Sequence, residues 1–154
     1  MNWTPEKYGG VVLLLITLFD FVTTWAGGAN LFAYAFAGEA GSKMIPAAIL
    51  SGGIMAAGVF VALIILPRMH LHPEEHTFNG LGSAFLIFAL VADLSTSYAG
   101  IFAFFGQDAF ARTMSALSGE PQALISLVLA SSLSFVMIWA TIYFPRLLRR
   151  LDLV

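Results

Sequence analysis

Asp20-Phe21-Val22-Thr23-Thr24-Trp25-Ala26-Gly27 recurs 73 residues later as Asp93-Leu94-Ser95-Thr96-Ser97-Tyr98-Ala99-Gly100, so the chain carries the pattern D-x-x-T-[ST]-[WY]-A-G twice. Two further blocks follow in the same order. Pro46-Ala47-Ala48-Ile49-Leu50-Ser51 is matched by Pro121-Gln122-Ala123-Leu124-Ile125-Ser126 at an offset of 75, and Pro67-Arg68 by Pro145-Arg146 at 78. Three ordered matches with slowly growing offsets read as a duplicated helical hairpin. Repeat one covers about 9–68, repeat two about 81–146, and about 69–80 forms a linker within a single domain of 154 residues.

Each copy of the pattern sits inside an apolar run. The four runs are Gly9 to Gly27, Pro46 to Leu66, Leu81 to Phe105 and Gln122 to Phe144, and none contains a Lys, Arg or His. All are near the ~20 residues that cross a bilayer core as a helix. They lack the two-residue alternation of a barrel strand, and helices satisfy their own backbone in lipid. The predicted fold is therefore an all-α integral membrane protein with four transmembrane helices, built as two tandem hairpins. A duplicated two-span unit keeps its orientation, which makes the repeats parallel and relates them by a pseudo-twofold axis along the membrane normal.

Composition agrees. Apolar residues make up 59% of the chain and charged residues 10%, against roughly 45–50% and about 25% in soluble domains. Seven Lys or Arg and nine Asp or Glu cannot cover a soluble globule of this size. A cytosolic globule, a disordered chain and a nucleic-acid binder are excluded on that ground. Zero cysteines exclude disulfides, thiolate metal sites and thiol catalysis.

Pro46 and Pro121 open spans two and four, where a missing N–H costs nothing, and Pro67 and Pro145 are expected to close them. Lys7, Arg68, Arg146, Arg149 and Arg150 lie on one side against Lys43 and Arg112 on the other. That asymmetry predicts both termini and the 67–80 loop in the cytoplasm. Span one is read as a retained helix rather than a cleaved signal, because it is long for an h-region and carries Asp20 at its centre.

Asp20 and Asp93 are the only charges at predicted membrane depth. An Asp there costs about 2.5–3.5 kcal/mol on insertion scales. No span supplies a cation to offset it, so each carboxyl must be protonated, bind a cation, bond to hydroxyls or meet a basic group on another protein. Two carboxyls brought close would share a proton. Thr23, Thr24, Thr96 and Ser97 follow the acids by three and four positions, on the same helical face. Together these six residues are the expected polar path for protons, cations or a small polar solute. Bonding between helices without transport is the structural alternative. Ser131, Ser132 and Ser134 add hydroxyls to span four, and Trp25 and Tyr98 are expected as interfacial anchors.

All three histidines fall in one segment, His70-Leu71-His72-Pro73-Glu74-Glu75-His76. Imidazole and carboxylate together suit a divalent metal such as zinc, so His70, His72 and His76 are candidate ligands, weighed against a solvated linker. The outer loops, about 28–45 and 106–120, are expected to lie on the membrane as short helices or beneath a partner. No phosphate loop, catalytic triad or haem-ligating histidine pair is present, so no enzymatic activity is expected. Two functions remain. One is an oligomeric channel or transporter; the other is a non-catalytic subunit of a larger membrane complex, packing against partner helices, lipid, quinone or pigment.

Overall fold

A computed structural model describes residues 5–36, 45–71 and 80–150. Those residues form five helices: α1 (Pro5–Phe36), α2 (Ile45–Leu71), α3 (Gly80–Phe104), α4 (Ala109–Leu117) and α5 (Pro121–Arg150). Four of them, all but α4, are long and apolar enough to cross a membrane. α1 packs against α2, α3 and α5, and α3 touches each of the other helices.

The bundle buries a cluster of polar side chains and is apolar outside. Asp20, Thr24, Asp93, Ser97, Ser134 and Thr141 are all 0% exposed, whereas Phe88 is 70%, Leu50 66% and Leu129 64% exposed. Two clusters of buried apolar side chains lie beside the polar ones. Ile101 and Phe102 pack with Ala130 and Met137 between α3 and α5. Val59, Leu63 and Ala89 pack between α2 and α3.

Glycine lets the helices approach. A Cβ on Gly27 would run into the carbonyl of Thr96, and one on Gly100 into the carbonyl of Thr23, so α1 and α3 touch backbone to backbone. Gly52 of α2 likewise abuts Ala29 and the Trp25 carbonyl. Gly27, Asn30, Leu31 and Tyr34 of α1 and Ala99 and Ala103 of α3 line a shared cleft together with Gly106 and Asp108.

Three boundaries differ from the sequence reading. α1 does not stop at Gly27 but continues to Phe36. The Gly27-Gly28 pair that resembles a helix end is a contact surface, Gly27 facing α3 and Gly28 facing Gly52 and Met55 of α2. At 32 residues α1 is about 48 Å long. Nor do the prolines end their helices, since α2 runs to Leu71 and α5 to Arg150. A proline withholds one N–H from the carbonyl four residues back, and the turns on either side retain theirs.

The turns at the other end are set by Gly106 at φ 66° and Gly119 at φ 87°, a left-handed backbone that glycine adopts without strain. Between them, α4 is capped by Asp108, whose Oδ1 accepts from the Phe110 and Ala111 N–H groups at 2.8 and 3.2 Å. Near the C-terminal end of α5, Trp139 stacks on Tyr143 at 4.6 Å and Arg146 lies 5.2 Å over the Tyr143 ring.

Candidate buried carboxyl site

The α1–α3 contact places the two repeated acids across from each other's hydroxyls. Thr24 Oγ1 lies 2.6 Å from Asp93 Oδ1, and Ser97 Oγ lies 2.9 Å from Asp20 Oδ1. The two hydroxyl oxygens are themselves 2.8 Å apart. The crossing is reciprocal: α1 lends its hydroxyl to the acid of α3, and α3 returns one to the acid of α1. Asp20 has a further partner, because Thr141 Oγ1 of α5 donates to Asp20 Oδ2 at 2.7 Å. Asp93 has none beyond Thr24. Among the described residues, Asp93 Oδ2 and Thr17 Oγ1 are the buried side-chain oxygens without a hydrogen-bond partner.

Thr23 and Thr96 do not join this network. Thr23 Oγ1 donates to the carbonyls of Phe19 and Asp20 at 3.1 and 2.9 Å. Thr96 Oγ1 donates to those of Ala92 and Asp93 at 2.7 and 3.3 Å. A threonine in a helix can satisfy its hydroxyl on the preceding turn in this way. Their carbonyls instead form the surfaces on which Gly100 and Gly27 rest. The six expected path residues thus divide into four that meet across the interface and two that stay on their own helix.

Thr141 was not foreseen. The available signal was its spacing: it lies seven residues, two helical turns, after Ser134, and both side chains are fully buried. Ser134 itself donates to the Ala130 carbonyl at 2.9 Å. Trp25 and Tyr98 serve helix contacts. Trp25 Nε1 donates to the Ile49 carbonyl at 2.8 Å over the face of Gly53, and the Tyr98 hydroxyl lies 2.7 Å from Thr113 Oγ1.

Beyond the Gly27–Thr96 contact, a cleft of about 750 Å³ opens between α1 and the end of α3. Its polar lining is Asn30, Tyr34, Gln107 and Asp108. The Tyr34 hydroxyl donates to Asp108 Oδ2 at 2.8 Å. That bond, together with the Ala111 and Phe110 N–H groups, holds the Asp108 carboxyl below the usual carboxylate range. Gly27 is among the residues that line the cleft, and Thr24 lies three residues before it, about 4.5 Å along the helix axis. His72 and His76, and the side chain of His70, lie outside the described residues.

The fold and site together define a small all-helical protein with four membrane-length helices and with Asp20 and Asp93 sealed inside. Comparison with protein-family models, curated proteins and solved structures finds no match.

Proposed function

We propose that the chain is an integral membrane protein of two tandem, parallel helical hairpins, and that it works as an oligomeric channel or transporter without enzymatic activity. Protons, cations or a small polar solute would pass the pair Asp20 and Asp93. The observation that carries this reading is the reciprocal crossing of Thr24 to Asp93 and Ser97 to Asp20 in a fully buried cluster. Residues 8–36, 45–66, 82–104 and 121–145 hold no Lys, Arg or His to neutralise it. Acids retained at such depth mark ion or proton pathways by default. The apolar exterior is what lipid requires. The Trp139–Tyr143–Arg146 ladder suits a headgroup boundary, and the excess of basic residues on that side supports reading it as cytoplasmic. The cleft over Gly27 provides an approach from the opposite side. Four helices enclose little volume, which favours assembly of several copies.

A second reading is favoured by one observation. The carboxyl pair is completely closed off, at 0% exposure for both acids, as interhelical glue in an accessory subunit of a larger membrane complex would be. The mass of the particle extracted from its native membrane in mild detergent separates the two. A discrete multiple of the chain mass supports a self-assembled transporter. A larger particle with other chains, quinone or pigment supports the accessory subunit and removes the transport role.

A further inference from the structure

Four side-chain oxygens stand in a row between the two acids. Asp93 Oδ1, Thr24 Oγ1, Ser97 Oγ and Asp20 Oδ1 are separated by 2.6, 2.8 and 2.9 Å. Each separation is a hydrogen-bond distance, and each bond needs one proton between its oxygens. Thr24 and Ser97 bring one hydroxyl proton apiece. With both carboxyls ionised, Thr24 donates to Asp93, Ser97 donates to Asp20, and the contact between the two hydroxyls has no proton left. The Thr141 proton is already committed to Asp20 Oδ2. Three bonds therefore need a third proton, and a carboxyl group is the remaining source.

We propose that this row is a proton relay, in which Asp20 and Asp93 share one dissociable proton through the hydroxyls of Thr24 and Ser97. In one arrangement Asp93 Oδ1–H donates to Thr24, Thr24 donates to Ser97, and Ser97 donates to ionised Asp20. Each proton then shifts by one place. The Asp93 O–H bond breaks as a new one forms on Thr24; the old Thr24 bond breaks as one forms on Ser97; the old Ser97 bond breaks as one forms on Asp20. Asp93 is left ionised, Asp20 is neutral, and both hydroxyls are regenerated pointing the other way. No co-reactant is needed.

Two features fix the resting arrangement. Asp20 receives donors on both oxygens, from Ser97 and Thr141. Asp93 Oδ2 is buried with no partner. A bare buried oxygen is costlier on a carboxylate than on a neutral acid, so the proton rests on Asp93 and the charge on Asp20. Charges elsewhere do not alter this, because the segments of α1, α2, α3 and α5 packed around the pair hold no Lys, Arg or His.

The shared proton stands on this geometry, while its conduction rests on the transport reading above. Infrared spectroscopy of the full chain in lipid bilayers, in light and heavy water at neutral pH, counts protonated carboxyls by their carbonyl stretch. One per chain is expected. It should be absent in Asp93→Asn and present, at higher frequency, in Thr24→Val, where the acid loses its acceptor. No such band in the wild type, or two per chain, overturns the shared proton. Proton flux into vesicles of the same preparations decides the relay. Thr24→Val should fall to the rate of protein-free vesicles, and Thr24→Ser, which keeps the hydroxyl, should conduct above that rate. A Thr24→Val protein conducting like the wild type overturns the relay. A wild type that shows the band and conducts nothing overturns the transport reading alone.

Discussion

Thr141→Val removes one donor from Asp20 and little else. Thr141 is 0% exposed, and its Oγ1 is the partner of Asp20 Oδ2, at 2.7 Å. Valine keeps the branched shape, so no cavity opens and the backbone is undisturbed. The cost is then the worth of one hydrogen bond, and its size depends on the charge of the acceptor. A bond to an ionised group contributes about 1.5–3 kcal/mol, and one between neutral groups about 0.5–1.5. Hydrogen bonds between helices in a membrane average about 0.6 kcal/mol. If Asp20 carries the charge, Thr141→Val should destabilise the protein by about 1.5–3 kcal/mol, and Thr141→Ser should recover most of that loss. Reversible unfolding in mixed micelles of increasing SDS fraction measures both. A loss at or below the membrane average of about 0.6 kcal/mol would refute the placement of the charge on Asp20.

The same unfolding assay separates close helix approach from helix propensity. Gly100→Ala would push a methyl group onto the Thr23 carbonyl and should cost about 1–3 kcal/mol. Gly58→Ala meets open space and should be neutral or stabilising by about 0.5–1 kcal/mol; equal effects at the two sites would remove the α1–α3 contact from the account. Asp108 gives a pH dependence at the α4 cap. Its folded carboxyl titrates below its ordinary value, so its stabilising contribution is present above that ordinary value and is lost as pH falls through the lower, folded one. The protection of the Phe110 and Ala111 amides, taken relative to their intrinsic exchange rates, should therefore fall on acidification in the wild type but not in Asp108→Asn, and equal profiles would show that the cap does not titrate.

The four long helices were legible because apolar length alone identifies them, and Asp20 and Asp93 because charge at such depth is costly. Their hydroxyl neighbours were legible only as a set. With about 100° per residue, position i+4 lies roughly 40° to one side of the acid and position i+3 roughly 60° to the other. Sequence spacing cannot say which side meets the neighbouring helix. The glycine contact decides it: Thr24 and Ser97 cross over, and Thr23 and Thr96 turn back onto their own carbonyls. Thr141 escaped notice because it belongs to neither repeated block, and its role depends on how deep α5 runs beside α1. The helix ends were misread where Gly27-Gly28 and the two prolines carry local stop signals that packing and an otherwise intact helix override.

The claim that the carboxyl pair is a path is tested most directly by proton flux. The full chain would be reconstituted in vesicles under an imposed pH gradient, and the wild type compared with Asp93→Asn at equal protein content. The account predicts that the wild type dissipates the gradient and that Asp93→Asn leaves it at the rate of protein-free vesicles. Flux through Asp93→Asn equal to that of the wild type would contradict it.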